Sequence, residues 1–472
     1  MDNQGCDIGL LGLGTMGRNL VLNIADHGFA VAVYNRTGEK TREFMAQEVG
    51  GRMIRPGYTP AEFVGHLKSP RAIIILVPAG PPVDVVLDEL LPFLAPGDLL
   101  IDGGNSFFKD TDRRGRALAA KGLLYLGLGI SGGEAGARYG PSLMPGGPPE
   151  AYARVRPILE AAAARVKGAP CVAYLGSGSA GHYVKMVHNG IEYAVIELLA
   201  EAYDLLRGGL GLSPGEMAGI YEEWNRGELA SFLVEITAPI LRRKDEKTGR
   251  PLIDLILDQA RQKGTGKWTS QEAMDLQVPT PTIDTAVMMR DLSGYKAERD
   301  AASRVLEGPS PVFQGDRQTF VGQLGHALFA GMALAFAQGL ALLGRASQAY
   351  GYRLALAAVA RIWQGGCIIR AALLEDIRFA YQTNPKLPHL LLGPHLGRKI
   401  IDRAPDLRTV VKAAADLGIP APGLMASLAY YDAYRRSRLP ANLIQAQRDY
   451  FGAHTYERTD IPGHFHTGWD KD

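Results

Sequence analysis

Between residues 7 and 178 the chain alternates short apolar runs with longer stretches of mixed polarity. DIGLLGLG, AVAVYNR, AIIILVPAG, DLLIDGG and LLYLGLGISGG read as strands, with helix-length segments between them. Such alternation predicts a parallel, doubly wound sheet. After CVAYLGSGSAG, near residue 178, the strands stop, and long apolar-periodic segments punctuated by Gly and Pro run to about residue 440. That second part predicts an all-helical domain, and the segment from LPANLIQAQRDYFGAHTYE onward predicts a last helix with an extended tail. The expected organisation is therefore an α/β Rossmann-type domain (1–178), a large all-α domain (179–440) and a C-terminal tail (441–472). Trp224 and Trp363 each follow a glycine break, at Gly211 and Gly351, an echo that suggests internal duplication within the helical part.

One uncharged run, ALFAGMALAFAQGLALLG from Ala327 to Gly344, has the length of a membrane span. It is rich in Ala and Gly, contains Gln338 and stands alone, so a helix buried in a large helical domain is expected instead. At 472 residues the chain exceeds the size of one hydrophobic core. Its 51 Lys and Arg against 49 Asp and Glu leave a net charge of +2, without the basic footprint of nucleic-acid or membrane-surface binding. Three scattered cysteines, Cys6, Cys171 and Cys367, form no disulfide or zinc pattern. No metal is expected, and a cytoplasmic protein is, since the N-terminus runs straight into a strand-like segment without the features of a signal peptide.

In GLLGLGTMGRNL, Gly12, Gly14 and Gly17 form G-x-G-x-x-G, with Thr15 and Met16 between the last two, directly after a strand and at the start of a helix. This context allows a tight turn, close approach of a pyrophosphate, and a helix N-terminus facing its charge. The next strand ends in Asn35, Arg36 and Thr37, where a ribose-binding acid normally stands. A carboxylate would repel a 2′-phosphate, whereas these residues offer donors and a positive charge, which favours NADP. A surface arginine after a strand is the plainer alternative.

KMVHNGIEY places Lys185, His188, Asn189 and Glu192 at i, i+3, i+4 and i+7, on one stripe of a helix. A solvated face is the ordinary explanation for such spacing. The flanking residues Val184, Met186, Val187, Ile191, Ala194, Val195, Ile196, Leu198 and Leu199 make the polar stripe narrow and predict a buried helix. Buried polar groups need partners, and a ligand is one solution.

Seven segments in register, GLGTMGRNL, NRT, DGGNS, GISGGEAGARYGPSLMPGG, KMVHNGIEY, KGTGKWT and IQAQRDYFGAHTYE, resemble the decarboxylating 6-phosphogluconate dehydrogenases across the whole chain. The resemblance implies oxidative decarboxylation of 6-phosphogluconate to ribulose 5-phosphate with reduction of NADP, in the pentose phosphate pathway and gluconate utilisation. It implies Lys185 as general base and Glu192 as general acid. Asn105, Ser131, Gly132, Gly133, His188, Asn189, Tyr193, Lys263 and Arg290 match substrate-contacting positions. Arg448 and His454 match positions that complete the pocket of the partner in a homodimer. Cofactor contacts are implied at Asn105 and at Val77, Pro78 and Ala79. There this chain reads VPAG where many members read VKAG, so a lysine near the 2′-phosphate is replaced by a proline without charge or N–H. NADP remains the expected cofactor, with NAD as a secondary one.

The residue types fit that chemistry independently. Hydride removal from an alcohol carbon needs a base for the hydroxyl proton, and a lysine serves if burial lowers its pKa. Lys263, Arg290 and Arg448 supply charge for a substrate with a phosphate and a carboxylate. Oxidation at C3 yields a β-keto acid that loses carbon dioxide readily, after which a protonated Glu192 delivers a proton to C1 of the enediol. Taken singly, SGG is also a strand-ending turn, KGTGKW an exposed basic loop, and RDYFGAH a packed aromatic terminus. Two other functions compete: a β-hydroxyacid dehydrogenase acting on a smaller acid, and a noncatalytic NADP-binding sensor.

Overall fold

The computed structural model describes residues 5–262, 264–309 and 312–469. Seven strands form one sheet: β1 (Ile8–Leu11), β2 (Val31–Tyr34), β3 (Ile54–Gly57), β4 (Ala72–Ile75), β5 (Leu99–Asp102), β6 (Leu124–Ser131) and β7 (Ser142–Gly146). Their order is β3-β2-β1-β4-β5-β6-β7, with β7 antiparallel to β6 and every other neighbouring pair parallel. β1, β2, β4 and β5 are buried at every position, as a sheet covered on both faces requires.

Two strands, β3 and β7, go beyond the five read from the apolar runs. Both carry a proline, Pro56 or Pro145, and both lie at a sheet edge, where a missing N–H breaks no ladder. Leu20, Ile24, Phe44 and Val155 belong to the apolar cluster on one face of the sheet, and Phe63, Val83, Leu87 and Leu118 to the cluster on the other. The strand order reverses between β1 and β4, which opens a crevice at their carboxyl ends.

From Ala180 the chain is dominated by helices. The helix Ala180–Asp204 packs directly on β6 and β7, and glycines permit the approach. A Cβ at Gly181 would lie 2.2 Å from the Met144 carbonyl oxygen and 2.4 Å from that of Gly127. A Cβ at Gly129 would lie 2.6 Å from the Cβ of Lys185. Helix Arg317–Ala349 is long and apolar enough to cross a membrane by length and composition, yet its central run is enclosed by protein. Its buried Gln338 is satisfied by Thr282, accepting from the backbone N–H at 3.0 Å and donating to Oγ1 at 2.9 Å. Such pairing is what a polar group in a protein core requires. The buried carboxylate of Glu201 likewise accepts from the N–H groups of Gly423 (2.5 Å) and Leu424 (2.9 Å), capping the start of helix Pro422–Tyr434.

Trp224 ends helix Pro214–Trp224 and Trp363 follows helix Leu356–Ile362, each after a glycine with positive φ, Gly211 (67°) or Gly351 (69°). The chain forms two compact units, Met1–Ser427 and Leu428–Asp472. The second holds helix Ala441–Gly452, and the segment expected to be extended contains an antiparallel hairpin, Tyr456–Glu457 with His464–Phe465.

Candidate active site

The first glycine turn has the geometry a dinucleotide needs. Gly12 has φ 107°, and a Cβ there would lie 2.3 Å from the Leu76 carbonyl oxygen. At Gly17 a Cβ would lie 1.9 Å from the carbonyl oxygen of Gly12, so strand and helix meet there. Above Gly14, by contrast, nothing lies within 4 Å, and Gly14 caps helix Thr15–Asp26 without a side-chain acceptor. The open space and the free N–H groups of the first turn are suited to a pyrophosphate. Thr15 is exposed beside this space, and the half-buried Met16 packs on the sheet.

A cleft at the ends of β1, β2 and β4 is lined by Arg36, Thr37, Lys40, Val77 and Pro78. Ala79 follows in the turn that leads into helix Pro81–Leu90. Asn35 is engaged within the protein: its Oδ1 accepts from the Leu13 N–H at 3.1 Å and its Nδ2 donates to the Thr37 carbonyl at 3.1 Å. It braces the glycine turn against the end of β2. Lys40, unremarked in the sequence reading, stands one helical turn beyond Thr37, and the Lys of NRTGEK was its signal.

The KMVHNGIEY stripe faces inward. Lys185 is 6% exposed and His188 fully buried, while Asn189 and Glu192 are half-buried. Lys185 Nζ donates to Asn189 Oδ1 at 2.5 Å and to Ser131 Oγ at 3.5 Å, and lies 3.3 Å from His188 Nδ1. His188 Nε2 lies 3.2 Å from Ser131 Oγ, and Glu192 Oε2 is 3.7 Å from His188 Nδ1. Asn189 Nδ2 donates to Thr265 Oγ1 at 3.0 Å, which ties the stripe to helix Thr265–Asp275. Thr265 was missed in the sequence because KGTGKWT drew attention to its first lysine. Behind the stripe the edge of the His188 ring meets Trp363 at 5.6 Å between centroids.

Ser131 ends β6, and Gly132 (φ 123°) and Gly133 (φ 62°) turn the chain into helix Gly133–Tyr139. A Cβ at Gly132 would sit 2.5 Å from the Gly366 carbonyl oxygen, so only glycine fits between these segments. Asn105 occupies the left-handed region (φ 54°) and exchanges both amide bonds with Ile130, donating to its carbonyl at 3.2 Å and accepting from its N–H at 3.0 Å. Its side chain therefore pins the DGGNS loop to β6, with one Nδ2 N–H left over from these two bonds. Tyr193 carries the Arg290 guanidinium over its ring at 3.6 Å. Lys263 lies outside the described residues, and Arg448 and His454 are exposed in the C-terminal unit.

The charges in this cluster are tuned in opposite directions. Burial lowers the pKa of Lys185, with partial compensation from Glu192. Burial raises that of Glu192, against the pull of Lys185 and Arg290. Burial, then the neighbouring Lys185, holds His188 neutral. A lysine pushed toward its neutral form and a carboxyl pushed toward its protonated form constitute a base and an acid on one wall. Among the described residues no group of three or more His, Cys, Asp or Glu is placed to hold a metal ion.

Two family models match: the NAD-binding domain of 6-phosphogluconate dehydrogenase over residues 7–176, and the C-terminal domain of 6-phosphogluconate dehydrogenase over residues 181–469. The chain is 54% identical over 464 residues to the decarboxylating 6-phosphogluconate dehydrogenase of Synechococcus elongatus, covering 98% of each. It is 51% identical over 466 residues to the NADP(+)-dependent decarboxylating enzyme of Bacillus subtilis, covering 98% of this chain and 99% of that one. Among solved structures, the 6-phosphogluconate dehydrogenase of Plasmodium falciparum superposes with a TM-score of 0.94 at 44% identity, over 98% of this chain and 100% of the other. That enzyme is described free, with its cofactor NADP+ and with its substrate 6-phosphogluconate. With both domains matched and the fold shared end to end, the chain belongs to the 6-phosphogluconate dehydrogenase family.

Proposed function

We propose that the protein catalyses oxidative decarboxylation of 6-phosphogluconate to ribulose 5-phosphate and carbon dioxide with NADP as oxidant, in the pentose phosphate pathway. The observation that carries this reading is the inward-facing stripe, in which a desolvated Lys185 and a desolvated Glu192 flank His188 and Asn189 beside Ser131. Residues 1–178 hold the cofactor, residues 179–440 the substrate and the dimer contact, and residues 441–472 reach the partner of a homodimer. The Gly12–Gly17 turn fits a pyrophosphate, and Arg36, Thr37 and Lys40 fit a 2′-phosphate. Lys40 supplies a cation that Pro78 does not, which supports NADP over NAD.

NADP, when bound, accepts the hydride leaving C3 of the substrate. Neutral Lys185 takes the C3 hydroxyl proton, and Asn189 and Ser131 orient its amine. The resulting lysinium donates to the new C3 carbonyl oxygen, so that this oxygen receives the electron pair released when the C1–C2 bond breaks and carbon dioxide departs. Glu192 then protonates C1 of the enediol, while Lys185 takes back the hydroxyl proton as the ketone of ribulose 5-phosphate forms. Arg290, held over Tyr193, supplies positive charge for the substrate's anionic groups, together with Lys263 and the partner's tail. The chemistry is assigned to these side chains without a metal. Three buried free cysteines suit a reducing cytoplasm.

Steady-state turnover of 6-phosphogluconate with NADP and NAD in parallel tests the reading. Release of labelled carbon dioxide with faster NADP than NAD reduction is expected. Turnover of hydroxyisobutyrate alone would favour a dehydrogenase of smaller acids, and NADPH binding without oxidation of any sugar acid would favour a sensor.

A further inference from the structure

Asp449 is fully buried in the C-terminal unit, between exposed Arg448 and the exposed turn that carries His454. Its Oδ1 accepts from the Thr455 N–H at 2.9 Å and from His466 Nδ1 at 2.9 Å. Its Oδ2 accepts from the Thr467 N–H at 3.0 Å and from Trp469 Nε1 at 2.9 Å. One carboxylate thus joins helix Ala441–Gly452, the turn that follows it, and the segment that leaves the terminal hairpin. Burial alone would push its pKa up, but the donors from His466, Thr467, Trp469 and Thr455 hold it at about 2, so it stays ionised.

What this hub fixes is an unfavourable piece of backbone. Ala453 (φ 49°) and Thr455 (φ 59°), on either side of His454, both occupy the left-handed region, which crowds the Cβ of an L-residue against its own carbonyl. Such conformations persist where surrounding contacts over-determine them. Asp449 supplies those contacts: its carbonyl accepts from the Ala453 N–H at 2.9 Å and its carboxylate from Thr455. Gln445 adds a second brace, donating to the Thr455 carbonyl at 2.5 Å and accepting from Arg448 Nη1 at 3.0 Å. Arg448 and His454 are thereby held in one preformed arrangement, with their own side chains presented to solvent.

We infer that Asp449 is a positioning residue that preorganises Arg448 and His454 as a rigid clip for the substrate pocket of a second copy of this chain. The inference rests on the reading that those two residues complete the partner's pocket. Without the hub the turn would relax, and substrate binding would then have to supply the ordering free energy.

Asp449→Asn is the test, measured on the full-length enzyme. The expected result is a KM for 6-phosphogluconate raised about tenfold or more, a smaller fall in kcat, and an unchanged KM for NADP. Because Asp449 acts through both of its neighbours, adding Asp449→Asn to the double variant Arg448→Ala/His454→Ala should raise KM little further than the double variant does alone. In a mixed dimer of an Asp449→Asn chain with a Lys185→Met chain, the one active pocket receives an intact tail, so its KM should return to the native value. Should Asp449→Asn fail to fold, Trp469→Phe removes a single donor and should give a smaller rise, restored in the same mixed dimer. An unchanged KM in these variants, while Arg448→Ala raises it, would overturn the role of Asp449 and leave the cross-subunit reading standing. An unchanged KM in Arg448→Ala and His454→Ala, or a mixed dimer that keeps the mutant KM, would instead overturn the cross-subunit reading and the inference with it.

Discussion

Lys185 and Glu192 are two turns apart on one helix, and each is shifted toward the protonation state opposite to the one it would hold in water. Desolvation acts on both, favouring the neutral amine and the neutral acid. The pH dependence follows in sign. Activity needs neutral Lys185, so it rises with pH through the lowered lysine pKa; it needs protonated Glu192, so it falls as pH passes the raised carboxyl pKa. A bell-shaped profile of kcat/KM is expected, and Glu192→Gln should leave a residual activity that lacks the alkaline fall. Lys185→Met and Glu192→Gln should each lose about 10²–10⁴-fold in kcat while NADPH binding, followed by fluorescence, is retained. An active Lys185→Met enzyme would refute the assigned base. The i, i+3, i+4, i+7 spacing made this stripe legible in the sequence, whereas the desolvation that shifts its pKa values was not, because it depends on everything packed around the helix.

At the scale of elements, the position of Lys185 depends on how closely helix Ala180–Asp204 lies on β6 and β7. Gly129 faces the Lys185 Cβ, and a methyl group there would contact it at 2.6 Å and Met144 Cβ at 3.1 Å. Both neighbours are attached to backbone that would have to move. Gly129→Ala should therefore cost about 1–3 kcal/mol in stability by overpacking, read by denaturant unfolding, and should lower kcat by displacing Lys185 from Ser131 and Asn189. Full activity in a folded Gly129→Ala enzyme would show that the close approach is not what sets the base. The five core strands were readable as apolar runs, while β3 and β7 were not: each carries a proline and borders the sheet on one side only. Edge strands impose weaker patterns because one of their sides satisfies no ladder.

For the molecule as a whole, the proposed function has each pocket completed by the tail of a second copy in a homodimer. Activity per subunit is therefore expected to fall on dilution at the concentration where light scattering detects monomer. Undiminished turnover by a monomer would contradict the shared site. The exposed Leu443, Ile444, Tyr450 and Phe451 on helix Ala441–Gly452 are apolar surface of the kind a partner subunit covers. The buried run of Arg317–Ala349 shows the converse at the same scale, since an apolar helix long enough for a membrane is here enclosed by protein.

Local rules let the sequence alone determine the alternation of strands and helices, the glycine turn for a pyrophosphate and the polar stripe on one helical face. Each depends on residues within a few positions of one another, where backbone periodicity and the room left by a missing Cβ decide the outcome. The tertiary structure alone decided that the stripe faces inward, that Asn35 and Asn105 direct their amides to backbone, and that Thr265 reaches Asn189. An amide has the same donors and acceptors whichever partner it takes. Which partner it meets, and whether a lysine loses its water, is set by packing between segments far apart in the chain.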